Sequence, residues 1–395
     1  MKKIRALLAL FLCLVIFVAP VLAADETTAA TPDDASQSAD TSAEAAVSAA
    51  PEYHANAKAA LLIDLNTGRT IFEQNADEQV YPASLTKIMT CLLALENGNL
   101  SDTVTITENA YADLVSGSST ADLQVGEQLR LEDLLYCMMV ESGNEAANAV
   151  AEHIGGTIED FVKMMNERAY ELGCTHTHFM NPHGLHNESH YTTARDLSLI
   201  VQAALKSENF STITNTAEYT LPATNLTDER VVKTTNMLIF QNSGNRYYYP
   251  KAIGIKTGYT TPAGRCVISA AKSSGMYLLG IICGAETTVL ETGDIQMESF
   301  PECINLFNYG FDNFSYVSVL SPLYPVAQVS VLNSAGAEAV AVSPKDDIQI
   351  LLPNGYDEAQ LDVNIELTNE SVEAPVQESD VLGHATVSYN GELLA

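Results

Sequence analysis

Three short runs of the 395-residue chain carry side chains suited to acyl transfer. The first is Ser84-Leu85-Thr86-Lys87. If a helix starts there, Ser84 lies in its first turn and Lys87 one turn on, along the same face. A serine hydroxyl is a poor nucleophile without a base, and a three-residue step brings an amine within hydrogen-bond reach of it. A helix start also leaves backbone N–H groups free to receive a developing oxyanion. The second run is Ser142-Gly143-Asn144, read at the junction of two helices. Its hydroxyl can relay a proton, and its amide can orient a substrate amide. The third is Lys256-Thr257-Gly258, read at the end of an apolar strand. A lysine and a hydroxyl there can hold a carboxylate, and the glycine admits close backbone approach. Taken singly, each run reads better as a helix cap or a solvated lysine.

Periodicity supplies the elements that must position these residues. Two apolar runs, 59–64 and 70–72, flank Asn66-Thr67-Gly68 and read as strand, tight turn, strand. Helices are expected over 84–96, 131–140, 144–154, 158–172 and 193–206, and strands over 252–256, 265–271 and 277–283. That order implies an α+β fold, a helical cluster on an antiparallel sheet with the N-terminal hairpin at its edge. From about Phe314 short alternating runs separated by Gly, Pro and Asn imply a small all-β domain over 314–395.

The three runs also occur in one order and inside longer matching stretches: 81–90, 141–147, 181–185, 192–196 and 254–260. In these the chain resembles the D-alanyl-D-alanine carboxypeptidases, the low-molecular-mass penicillin-binding proteins of serine peptidase family S11. The likeness covers about 57–311 and implies a β-lactamase/transpeptidase-like domain over 53–313. It implies that Ser84 is acylated, with Lys87 as proton acceptor. Ser142 would pass a proton to the leaving D-alanine, and Asn144 would bind the peptide amide. Lys256 and Thr257 would hold the terminal carboxylate, and the N–H groups of Ser84 and Tyr259 would form the oxyanion hole. The implied partners are peptidoglycan stem pentapeptides and, as covalent inhibitors, β-lactams; neither cofactor nor metal is required. Lys87 must lose its proton to act as a base, and nearness to Lys256 would favour that loss. Many relatives carry an Arg where this chain has Glu286, which leaves Arg265 as the candidate to support carboxylate binding. Two other readings fit less well. A class A β-lactamase would carry Asp where Gly143 stands, and a Glu-containing loop motif for deacylation that is not found between Ser142 and Lys256. A silent binder of wall peptides would not need the complete set of side chains.

Charge narrows the partners further. With 19 basic against 50 acidic residues the formal net charge is −31, so a basic face for nucleic acid or anionic lipid is not expected. Lys2, Lys3 and Arg5, the apolar run from Ala6 to Val18 and Val21-Leu22-Ala23 read as a signal peptide over 1–23, which implies export to the cell-wall side. An acidic Ala/Ser/Thr-rich tether is expected over 24–52. The chain's end, Gly391 to Ala395, reads as a strand and not as a basic amphipathic helix, so membrane-surface association is not assigned. Cys91, Cys137, Cys174, Cys266, Cys283 and Cys303 sit mostly in apolar runs and are expected as buried free thiols. His176, His178, His183, His186 and His190 have spacings that zinc can use. With no acidic or cysteine partner at fixed spacing, a solvated, turn-rich loop is expected instead.

Overall fold

The computed structural model describes residues 50–395; the leader read over 1–23 and the tether up to residue 49 lie outside the described residues. Ala50, assigned from sequence to the tether, packs against the apolar cluster beneath the sheet, so the packed chain begins before residue 53.

An antiparallel five-stranded sheet positions everything else. β1 (Ala59–Asp64) and β2 (Thr70–Gln74) form the edge hairpin. β3 (Ala252–Thr260), β4 (Gly264–Ser273) and β5 (Met276–Ala285) complete the order β2-β1-β5-β4-β3. The sheet is covered on both faces. Ala59, Leu61 and Ile63 of β1 join one core, and the alternate residues Ala60 and Leu62 join the other. Two-sided burial is why β1 reads as an unbroken apolar run rather than an alternating one.

The larger core is closed by α1 (Lys87–Asn97), α2 (Leu131–Met139), α3 (Asn144–Gly155), α4 (Ile158–Glu171), α5 (Ala194–Ala204) and α6 (Glu208–Thr214). Thr157 and Thr193 cap α4 and α5 by accepting the N–H groups of Asp160 and Asp196. The opposite core is closed by α7 (Ser299–Asn313), which periodicity did not reveal. Pro301 and Gly310 lower its intrinsic helix preference, and burial of Phe300, Cys303, Leu306 and Phe307 against the sheet overrides that. The short α6 was missed too, being only seven residues long. All six cysteines read from the sequence are free and buried.

From Phe314 onward the chain is built of short strands. These are β6 (Phe314–Leu320), β7 (Ala327–Leu332), β8 (Ala339–Val342) and β9 (Ile348–Pro353), then β10 (Leu361–Leu367), β11 (Ser371–Glu373), β12 (Gly383–Tyr389) and β13 (Glu392–Leu393). They pair as β6-β9, β8-β7-β11 and β10-β12-β13 around a small core of Leu320, Ile350, Leu352, Val387 and Tyr389. The module is tied to the β1–β2 turn. Tyr316 donates its hydroxyl to Asp64 Oδ2 at 2.7 Å, and Arg69 bonds the Leu351 carbonyl and pairs with Glu392.

The fully buried Phe307 ring holds α7 to the sheet, lying against Gly280 of β5. Phe307→Ala should cost about 3–5 kcal/mol of stability. A urea titration should show a lower midpoint at an unchanged slope; a loss below about 1 kcal/mol would mean that α7 is not docked in this way.

Candidate active site

The helix read from Ser84 begins instead as a 3₁₀ turn, Ala83–Thr86, that passes into α1 at Lys87. Ala83 is left-handed at φ +49°, so a regular α-helix cannot begin before Ser84. The tighter turn has a chemical consequence. Residues three apart eclipse in 3₁₀ geometry, and Lys87 Nζ lies 3.0 Å from Ser84 Oγ.

Lys87 is wholly buried. Its amine also donates to Asn144 Oδ1 at 2.7 Å and to the His183 carbonyl at 2.8 Å, so all its hydrogen-bond partners are neutral. Burial pushes its pKa well below the ordinary lysine value; the charge of Lys256 pushes the same way, and Glu145 opposes. Sequence reasoning named Lys256 as the cause, whereas desolvation is the larger one.

Ser142 lies between α2 and α3 at φ +68°, a conformation that costs of order 1–3 kcal/mol for a residue with a side chain. Neighbouring bonds hold it there: Gly143 N–H to the Cys137 carbonyl at 3.1 Å and Asn144 N–H to the Ser119 carbonyl at 3.0 Å. The held hydroxyl accepts from Lys256 Nζ at 3.0 Å. Lys256 is also buried, which lowers its pKa to about 7, and it donates to the Thr257 carbonyl.

The strand carrying Lys256 does not end there as expected. β3 continues to Thr260 because pairing with β4 persists through Tyr259↔Arg265 and Thr260↔Gly264. Gly258 is where this strand meets the Ser84 turn. A Cβ at Gly258 would lie 3.0 Å from the Pro82 carbonyl and 3.1 Å from Ser84 N, tight enough that the Ser84 turn would have to shift by a few tenths of an ångström. Gly258, the residue before Tyr259, is thereby held against the backbone of the Ser84 turn. Thr257 Oγ1 is 2.6 Å from Thr235 Oγ1. Tyr259 is half exposed, and the Arg265 guanidinium stacks over its ring at 4.1 Å while Arg265 Nε donates to Thr287.

The seven residues singled out from sequence therefore converge on one site. Sequence reasoning missed Glu145, Thr235 and Asp113. Glu145 lay inside the quoted 141–147 stretch without a role; it is buried, accepts the Ala121 N–H at 2.6 Å, and burial raises its pKa. The histidine loop needs a correction, because His183 and His190 are buried rather than solvated. Their rings bond Asp113 and Thr86. Among the described residues no group of three or more His, Cys, Asp or Glu side chains is arranged to hold a metal ion.

The Lys87 pKa carries a prediction of definite sign. Lys256→Met removes one of two influences that depress it, so Lys87 should hold its proton to higher pH. Any rate that needs the neutral amine falls as pH drops through that pKa, and its acid limb should move to higher pH in the variant. A pH–rate profile reads this; an unmoved limb would mean that burial alone sets the value.

Two family descriptions match the chain: D-alanyl-D-alanine carboxypeptidase over residues 44–287, and the penicillin-binding protein 5 C-terminal domain over 314–395. The chain is similar to D-alanyl-D-alanine carboxypeptidase DacF of Bacillus subtilis (strain 168), at 33% identity over 86% of this chain and 83% of that protein. Its fold is similar to penicillin-binding protein 5 from Haemophilus influenzae, with TM-score 0.66 and 28% identity over 87% of this chain and 96% of that one. It is also similar to the Streptomyces K15 DD-transpeptidase, with TM-score 0.59 and 31% identity over 66% of this chain and 99% of that one. With its helices on an antiparallel sheet and an all-β C-terminal domain, the chain belongs to the D-alanyl-D-alanine carboxypeptidase family of serine peptidases, S11.

Proposed function

We propose that the protein removes the terminal D-alanine from peptidoglycan stem pentapeptides through an acyl-enzyme on Ser84. The observation that carries this reading is the 3.0 Å contact between Ser84 Oγ and a buried lysine amine that does not retain its charge easily. Lys87 takes the hydroxyl proton as Ser84 Oγ attacks the carbonyl of the penultimate D-alanine. The oxyanion is received by the N–H groups of Ser84 and Tyr259. Ser142 passes a proton to the nitrogen of the leaving D-alanine, the C–N bond breaks, and water then hydrolyses the Ser84 ester. Asn144 Oδ1 is occupied by Lys87, which leaves its NH₂ group to hold the peptide carbonyl. A β-lactam carbonyl would be attacked in the same way, making penicillin a covalent inhibitor.

Lys256 and Thr257 receive the terminal carboxylate. Arg265, permanently charged and stacked on Tyr259, stands directly across from it on the neighbouring strand and supports them. Such a local cluster is needed, because a chain at −31 repels an anionic substrate at long range. For the whole chain the proposed organisation is a signal peptide over 1–23, then a tether that ends before Ala50, the catalytic domain from there to residue 313 and the β domain over 314–395. The enzyme is exported across the cytoplasmic membrane and acts on the cell-wall side. Among the described residues no helix is long and apolar enough to cross a membrane.

Ser84→Ala should abolish both penicillin labelling and D-alanine release. Intact mass after incubation with penicillin, followed by peptide mapping, tests this; label surviving on another serine would overturn the assignment. Lys256→Met should remove a charge-assisted contact worth about 1.5–3 kcal/mol, or about 10- to 150-fold in rate. A carboxylate-terminated peptide should lose that much more than its C-terminal amide. Equal losses for acid and amide would mean that Lys256 does not read the carboxylate.

A further inference from the structure

The loop between α4 and α5 carries two buried histidines that the chemistry above does not use. In each the tautomer is set by backbone. His183 Nδ1 accepts the Leu185 N–H at 3.0 Å, so its proton sits on Nε2, which donates to Asp113 Oδ2 at 2.9 Å. His190 Nδ1 accepts the Met180 N–H at 3.2 Å, and its Nε2–H donates to Thr86 Oγ1 at 2.8 Å. Thr86 in turn donates to the Ala83 carbonyl, beside Ser84. Thr90 of α1 donates to the Pro182 carbonyl at 2.6 Å. The loop is thus fastened to Thr86 within the turn that bears Ser84 and to Thr90 in α1, one turn past Lys87.

Asp113 extends this fastening to a third element. Besides His183 it accepts Asn148 Nδ2 at 2.8 Å, from α3, whose first residue is Asn144. Lys87 donates to two acceptors other than Ser84: Asn144 Oδ1 and the His183 carbonyl. A neutral amine has two N–H bonds and one lone pair. With both N–H bonds engaged by these acceptors, the lone pair is left to face Ser84 Oγ, where a general base must point it. Asp113 joins the carriers of both acceptors, α3 directly and the loop through the His183 ring.

We propose that Asp113 is a positioning residue for acylation: through the His183 imidazole and Asn148 it fixes the two acceptors that aim the lone pair of Lys87 at the Ser84 hydroxyl. This rests on the reading of Lys87 as the base of Ser84. Burial keeps both imidazoles neutral, lowering the pKa of His183 and taking that of His190 to about 3, so they act here as donors and not as charges. The charged groups facing Lys87 are Lys256 and Glu145, and those facing His183 are Asp113 and Lys87. His190 is faced by His183, His178 and His186.

The half-exposed Asp113 side chain can be changed without opening the core. The measurement is the rate constant for penicillin acylation by the full-length protein across pH, with melting temperature alongside. Asp113→Ala should lower the plateau about tenfold, equivalent to about 1.4 kcal/mol, without moving the acid limb and with an unchanged melting temperature. Asp113→Asn keeps an oxygen that accepts from His183 Nε2 but turns its NH₂ toward the Asn148 NH₂, so it retains the loop link and loses the α3 link, and its plateau should fall between those of Asp113→Ala and the unaltered protein. A normal plateau in Asp113→Ala overturns the proposal. So does a loss that tracks a fall in melting temperature, a shifted acid limb, or an equal loss in Asp113→Asn. Label found on a serine other than Ser84 in the unaltered protein would overturn the underlying reading of the nucleophile, and is distinguishable by peptide mapping.

Discussion

An amine with no exposed surface is the constraint around which the catalytic half of this protein is arranged. A lysine ammonium in a dry interior is costly, and such a group lowers its pKa rather than keep its charge. Lys87 meets that condition with neutral partners drawn from three separate elements: the Ser84 turn, the start of α3 and the histidine loop. A carboxylate in direct contact would hold the proton on. Glu145 comes near enough to oppose the shift, yet spends its hydrogen bonds on the backbone of the 121–123 segment. The helical layer accordingly serves as a wall that keeps water from Lys87 as well as a core that stabilises the sheet.

Close backbone approach is the second requirement, and two glycines meet it from opposite sides. β3 presses on the Ser84 turn through Gly258, and the histidine loop presses on it through Gly184. Gly184 lies at φ +91°, and a Cβ there would fall 1.9 Å from the Ala83 carbonyl oxygen. The turn held between them contains a left-handed Ala83, and the neighbouring junction contains a left-handed Ser142. Strained conformations of this kind persist where surrounding bonds over-determine them. Here Ser142 is held by bonds from its neighbours to the Cys137 and Ser119 carbonyls and by Lys256 of β3, while Ser84 is bonded by Lys87.

The layout of the sheet separates this chemistry from the β domain. In the order β2-β1-β5-β4-β3 the strand bearing Lys256 lies at one edge and the hairpin at the other. The β domain attaches at the hairpin turn through Asp64, Asn66 and Arg69, at the opposite edge of the sheet from β3. It also carries much of the negative charge, with Lys345 its single Lys or Arg residue. Cationic groups at the far edge therefore act as a local island in an acidic protein, screened from distant carboxylates over roughly a Debye length of ~8–10 Å at physiological salt.

The amino-acid sequence alone determined the α+β class, the order of α1 to α5 and of the five sheet strands, and the three runs Ser84–Lys87, Ser142–Asn144 and Lys256–Gly258, because each is written locally in side-chain type and spacing. Periodicity placed α2 to α5 within about two residues, since their caps and apolar faces are local signals. It missed α7, whose Pro301 and Gly310 argue against a helix until the sheet buries its apolar face. It also ended β3 too early, because only the partner strand β4 extends the pairing past Lys256. The roles of Asp113, Glu145, His183 and His190 were not legible at all. Each depends on a contact with a residue 24 or more positions away: Asp113 with His183, Glu145 with Ala121, His190 with Thr86. Burial decided the rest, for the ionisation of Lys87 and Lys256 follows from the wall that packing builds around them, and no local run of sequence encodes how dry a side chain will be.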